Sequence, residues 1–113
     1  MVLAMRAGRL SDWVVIERRE SVRDALGEQS HQWVRLDADW GDIRFVNGRE
    51  YVTSGTEVSV ATVSIRMRWR DDVLASDRIV DADGQVYSIA AILPDKRRRV
   101  YVDFACSTGA SDG

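Results

Sequence analysis

The chain reads as an all-β protein: a small antiparallel β-barrel of about six strands with a long mid-chain loop. Three observations predict it. Apolar residues alternate with period two in the clearest runs, Val63, Ile65, Met67 and Trp69 against Ser64, Arg66, Arg68 and Arg70, and Val100, Val102, Phe104 and Cys106 against Arg99, Tyr101, Asp103 and Ala105. Aromatic and β-branched residues cluster in short runs, Pro94 is the single proline, and no long helix is indicated. Asp83-Gly84 between two apolar runs marks a tight hairpin turn of type I′. Closure into a barrel removes exposed sheet edges. An open two-layer sandwich is the alternative arrangement.

Taken in order, the first strand runs from Trp13 to Arg19, with Val14 and Ile16 on one face. Glu20 to Gln32 is polar and reads as a loop in which Gly27 takes positive φ. In the next run Val34, Leu36, Ala38 and Trp40 are apolar at even positions, whereas Ile43 and Phe45 are apolar at odd ones. Alternation changes parity only where a residue is added, so a bulge or bend is expected near Gly41, with Trp33 and Trp40 packed inward. Asn47 to Glu57 makes the long loop, with or without one helical turn. The Val63 strand follows, then Ile79 and Val80, the Asp83-Gly84 turn, and Val86 to Leu93, which is apolar on both faces and expected to be central. Pro94-Asp95-Lys96 turns the chain into the last strand. Residues 1–106 form the single barrel domain and 107–113 a flexible tail.

Composition bounds the function. A chain of 113 residues, 45% hydrophobic and 30% charged, supports one modest core and is not disordered. A net charge of −2 supplies no global field for nucleic acid or membrane, so a DNA contact would need a local patch. Lys96 is the only lysine among 16 basic residues. Arginine forks suit carboxylate and phosphate pairing. Cys106 is the sole cysteine, which excludes an intrachain disulfide and fits assembly in a reducing cytoplasm. Arg6 and Arg9 interrupt the first residues, so no secretory signal is read there. No apolar run reaches the roughly 18 residues of a membrane helix, and no internal repeat is evident.

Catalytic readings find little support. His31 lies in a polar stretch without a second histidine or a cysteine, and reads as solvated. Asp37, Asp39 and Asp42 have the residue type of a divalent-metal site, but the first two are the polar half of an alternating strand. There is no nucleophile elbow and no phosphate-binding glycine loop. Cys106 reads as a small core residue. No enzyme activity, metal or cofactor is expected. The arginines are the better lead: Arg66, Arg68 and Arg70 project from one strand, and Arg97, Arg98 and Arg99 flank a turn. They read either as a solvated face or as a protomer interface or channel wall.

Several short segments, in order, resemble the head–tail joining proteins of tailed bacteriophages, also called head completion or stopper proteins. They are Ala7-Gly8-Arg9-Leu10 before the first strand, the Gly27-to-Trp33 loop, and Gly48-Arg49-Glu50-Tyr51. Val63-Ser64-Ile65-Arg66-Met67-Arg68 follows, then the stretch from Gly84 through Tyr87 and Ile89 to Ile92, and arginines leading to Cys106. The likeness spans Arg6 to Cys106.

The resemblance implies a non-catalytic part of the particle neck, of siphophage or gene-transfer-agent type. Such proteins form a homo-oligomeric ring, six- or twelve-fold, between a portal or adaptor ring above and tail terminator or tail tube proteins below. The ring seals the portal channel after DNA packaging and offers the tail a docking surface. It assembles in the bacterial host cytoplasm, can touch packaged double-stranded DNA non-specifically, and meets no membrane. On this reading Asn47, Gly48, Arg49, Glu50, Tyr51, Val52, Thr53, Ser54 and Gly55 form a loop toward the channel or the next ring. Arg66, Arg68, Arg70, Arg97 and Arg98 serve a protomer interface or the channel wall. The alternatives are another connector component, a portal adaptor or tail terminator, or an OB-like nucleic-acid-binding small barrel that stacks bases on its tryptophans.

Overall fold

In a computed structural model, residues 10–47, 50–53, 56–59 and 61–108 are described. They form β1 (Asp12–Arg23), β2 (Gln29–Asn47), β3 (Glu50–Thr53), β4 (Thr56–Ser59), β5 (Thr62–Arg68), β6 (Arg78–Asp81), β7 (Val86–Pro94) and β8 (Tyr101–Ser107). Six of these close into an antiparallel barrel in the order β1-β2-β5-β8-β7-β6, with β6 pairing back onto β1. The barrel rather than the sandwich is realised. β3 and β4 form a separate two-stranded sheet.

The alternating runs fill the interior. Val14 and Ile16 of β1, Val63, Ile65 and Met67 of β5, Ile79 of β6, and Val102, Phe104 and Cys106 of β8 are buried in one cluster with Tyr87 and Ile89 of β7. Full burial of each large aliphatic or aromatic side chain contributes about 1.5–3 kcal/mol. Phe45 meets Tyr87 edge to face at 6.5 Å between ring centroids, and the Tyr87 hydroxyl donates to Asp81 Oδ2 at 2.8 Å. Burial, then that bond, raises the phenol's pKa above its ordinary value.

β2 departs from the expectation. Opposite β1, Ile16 pairs with Asp37 and Glu17 with Arg35, which leaves Leu36 as an extra residue. The parity change is made there, not at Gly41. Residues directly opposite share a face. Val14 and Ile16 therefore put Asp39 and Asp37 on the inner phase, while Trp13–Trp40 and Val15–Ala38 stand on the outer wall. Trp40 is 47% exposed and Trp13 41%, so neither packs in the core. Trp33, on the far side of the bulge, is half-buried beneath the Arg78 guanidinium, 4.2 Å from the ring centroid. Gly41 has another use. It is the corner where β2 leaves β1 and joins β5, pairing with both Asp12 and Met67. A Cβ there would lie 3.2 Å from the Arg66 carbonyl oxygen and 3.4 Å from Met67 Cγ.

Two further bulges recur by the same logic. Val46 is extra between the Phe45–Val63 and Asn47–Thr62 pairs. Ala90 is extra between the Ile89–Cys106 and Ala91–Ala105 pairs. The second explains why β7 is apolar on both faces without being wholly buried: after it Ile92 packs on the core and Leu93 turns outward, 56% exposed.

The polar stretch Glu20 to Gln32, expected as a loop, is mostly strand. β6 pairs with β1 only from Val14 to Glu17 and β5 joins β2 only from Gly41. Beyond Glu17 the two strands continue together as a ribbon, paired from Arg18–Val34 to Arg23–Gln29. A ribbon lacking a buried face needs no apolar alternation, so its sequence resembles a loop.

Its turn, Asp24-Ala25-Leu26-Gly27-Glu28, is built like the β6–β7 turn, Asp81-Ala82-Asp83-Gly84-Gln85. In each, the first residue's N–H donates to the fifth's carbonyl and the glycine N–H donates to the first carbonyl, all at 3.0 Å. The aspartate Oδ1 accepts from the third and fifth N–H groups at 2.8–2.9 Å. Only the glycines have positive φ, +85° at Gly27 and +88° at Gly84. This is a type I turn closed by a left-handed glycine, not the expected type I′ turn, which needs positive φ at both central residues.

The mid-chain segment expected as a long loop carries the β3–β4 hairpin, with Glu50 opposite Ser59 and Thr53 opposite Thr56. At the C-terminal end β8 takes in Ser107, and Thr108 is tied to Ala61 by Thr108 N–H to the Ala61 carbonyl (3.0 Å) and Ala61 N–H to Thr108 Oγ1 (3.1 Å). The barrel thus reaches two residues into the stretch assigned to the tail, and residues 109–113 lie outside the described residues.

Candidate functional site

The three arginines expected on one face of β5 occupy three different settings. Arg66 forks onto Asp103 of β8, Nε to Oδ1 at 2.8 Å and Nη2 to Oδ2 at 3.0 Å. Its guanidinium also lies 5.1 Å from the Tyr101 ring centroid. The Asp103 bond raises the Arg66 pKa further. Arg68 is exposed. Arg70 lies past the end of β5, and its side chain is only 14% exposed. It forks onto Asp72 through Nε and Nη2 and reaches Asp37 of β2 at 2.9 Å. Arg70 holds the Asp72 carboxyl below its usual range. Asp37 is lowered first by the Ala38 N–H and then by Arg70.

The turn after β7 is ordered by Asp95. Its Oδ1 accepts from the N–H groups of Arg97 (3.1 Å) and Arg98 (3.3 Å), and its carbonyl from Arg99 N–H (3.0 Å). Arg99 takes a left-handed φ of 54° and spreads over Trp69, 5.5 Å from its ring centroid. Arg97 and Arg98 are exposed.

Of the expected mid-chain loop, Asn47 ends β2, Glu50, Tyr51, Val52 and Thr53 form β3, and Gly48, Arg49, Ser54 and Gly55 lie outside the described residues. His31 is exposed on the ribbon. Asp37, Asp39 and Asp42 have separate partners: Arg70, the Trp40 N–H and Arg44. Among the described residues no cluster of histidine, cysteine and carboxylates could hold a metal ion. Cys106 is buried, its thiol pushed up to about 12 by desolvation.

Two features escaped the sequence. Asp77 is the buried carboxylate of the link between β5 and β6. Arg18 of the ribbon forks onto it, Nε to Oδ1 at 2.8 Å and Nη2 to Oδ2 at 2.9 Å, and the Leu74 N–H donates to Oδ2. No periodicity marks such a residue. The second is the outer-wall pair Trp13 and Trp40, edge to face at 4.9 Å between centroids. They border an open cleft of about 310 Å³ lined also by Asp12, Ile43, Asp81 and Asp83. The shared Asp-Ala-x-Gly-Glu/Gln turn was a legible signal.

These arrangements are the chemistry of contact: forked ion pairs, exposed aromatics, ordered turns. The profile of phage head completion proteins matches residues 5–109. The chain belongs to the phage head completion protein family. Head completion protein gp7 of Enterobacteria phage HK97 is 27% identical over 110 residues, covering 94% of this chain and 98% of that protein. The solution structure of protein SF1141 from Shigella flexneri 2a is similar at a TM-score of 0.71 and 32% identity, covering 93% of this chain and 97% of that one. A chain in the virion of a native gene transfer agent particle shares the fold, at a TM-score of 0.64 and 19% identity, over 92% of this chain and 98% of that one.

Proposed function

We propose that this protein is a non-catalytic head–tail connector of a tailed phage or phage-like particle. Copies form a ring, six- or twelve-fold, that follows the portal or its adaptor, closes the channel after packaging and presents a surface to tail terminator or tail tube proteins. Assembly takes place in the host cytoplasm. The observation that carries this reading is the family match along nearly the whole barrel, residues 5–109. The fold suits the task. A closed barrel leaves few free strand edges, while the β1–β2 ribbon and the β3–β4 hairpin supply extensions for neighbours.

On this reading the segment Asn47 to Gly55 reaches toward the channel or a stacked ring. Arg68, Arg97 and Arg98 face a neighbouring protomer or the packaged DNA, and Arg66 and Arg70 hold the surfaces from which they act. Deleting Val52 to Gly55 leaves the barrel strands intact, so the expected phenotype is filled heads that leak DNA or fail to join tails, scored by electron microscopy and titre. A normal titre from that deletion overturns the channel role.

One observation favours a nucleic-acid reading, the exposed tryptophan pair. Yet the cleft beside it is lined by Asp12, Asp81 and Asp83, whose charge repels phosphate. The connector reading is therefore preferred.

A further inference from the structure

The two ends of the barrel carry surfaces of opposite character. At one end Trp13 and Trp40 border the open cleft with Asp12, Asp81 and Asp83, and among the described residues no basic side chain lines it. Asp12 and Asp81 are positioned by neutral donors, Asp12 Oδ2 accepting the Ile43 N–H at 2.9 Å and Asp81 two turn N–H groups and the Tyr87 hydroxyl, while Asp83 stands exposed on the turn that Asp81 orders. Their charge is therefore held in place and offered outward, beside two indole rings. Carboxylates beside aromatic faces favour a guanidinium or ammonium.

At the other end the turn Asp95-Lys96-Arg97-Arg98-Arg99 carries four cations against one carboxylate. It borders a groove of about 480 Å³ in which Arg98 lies beside Leu93 and Val100, both exposed. Asp95 and Asp103 also line this groove, but Asp103 is forked by Arg66 and Asp95 Oδ1 accepts the turn's own N–H groups. The turn thus presents an excess of cations beside an apolar floor, as the cleft presents carboxylates beside one. β7 joins the two surfaces: it begins after the Asp81–Gln85 turn and ends at Pro94, before the basic turn. Nine residues of strand span about 27 Å. One chain cannot bring its own two surfaces together.

We propose that the acidic aromatic cleft of one copy receives the basic turn of a second copy. Arg98 meets Asp83 and the tryptophan pair, and Leu93 and Val100 cover the exposed indole edges. The contact joins two different patches, so it is heterologous and closes into a ring when the rotation between copies permits. It rests on the connector reading only in expecting that copies meet.

Asp83 and Arg98 are exposed, so reversing either charge leaves the fold intact, verified by an unchanged urea midpoint. Asp83→Lys or Arg98→Glu alone weakens self-association about tenfold or more, read by sedimentation. Mixing the two variants in equal amounts restores it, because each altered surface then meets its complement. D83C mixed with R98C gives a disulfide-linked dimer that neither protein gives alone, which reads the contact even when association is weak. Absence of that heterodimer, or equal cross-linking by each variant with itself, overturns the contact. Incorporation of D83K alone and of R98E alone into particles at wild-type levels also overturns it while leaving the connector role standing. Exclusion of the unmodified protein from particles overturns the role instead.

Discussion

At the scale of single residues, the backbone decides more than the side-chain inventory. Gly27 and Gly84 hold φ near +85° with open space where a Cβ would stand, so an alanine there meets no neighbour and costs only the left-handed backbone penalty. Gly84→Ala is expected to cost about 1 kcal/mol, measured as a lower urea midpoint with an unchanged slope. Asp81 carries more. It orders the turn through Asp83 and Gln85 and also satisfies the hydroxyl of the buried Tyr87. Among the described residues its counterpart Asp24 has the turn role alone. Both glycines can be suspected from sequence. The shared turn type cannot be read from Asp-Gly by itself, because the glycine serves the type I turn and the type I′ turn alike.

At the scale of elements, the β1–β2 ribbon extends past the closed barrel as two strands alone. Two strands alone are marginal in water. Arg18 anchors this ribbon: it forks onto buried Asp77, and its Nη2 also donates to the Asp72 carbonyl, so that it straps the β5–β6 link to β1. Arg18→Ala leaves the buried Asp77 carboxylate without its counter-ion and is expected to lower the urea midpoint. Removing both partners, Arg18→Ala with Asp77→Ala, should cost less than the sum of the two single changes, and a double-mutant cycle in urea measures the coupling. Beyond this anchor the ribbon ends in Leu26, 89% exposed. The Leu36 bulge does comparable work on the wall: it lets Trp33 at an odd position and Trp40 at an even one stand on the same outer face.

At the scale of the whole molecule, ion pairs tie the link after β5 to the barrel, and they titrate. Asp37 and Asp72 have pKa values lowered in the folded state, Asp72 chiefly by Arg70. A carboxyl whose folded pKa is lowered adds stability above its unfolded value, about 3.9, and loses it as pH falls through the folded value. The urea midpoint should therefore drop as pH is lowered from about 5 to about 3. Arg70→Met should be less stable than wild type at neutral pH and show a shallower acid loss. Equal acid slopes for the two proteins would exclude Arg70 as the cause.

The residues alone determined the all-β class, the inward faces of β1, β5 and β8, the mid-chain interruption and the resemblance to head completion proteins. Each is written in a local pattern, either period-two alternation or an ordered set of short segments. Alternation reports burial, however, and says nothing where a strand has no buried face. The β1–β2 ribbon therefore looked like a loop, and the apolar even positions of β2 looked like core. Only the closed barrel decided which face of β2 is inner, because that depends on register with β1 and on where the extra residue falls. It also decided that Arg66 and Arg70 are tied within the chain while Arg68, Arg97 and Arg98 stay on the surface. Asp77 became a buried anchor, and Trp13 and Trp40 an exposed pair beside three carboxylates, through contacts between residues distant in sequence, which no local pattern records.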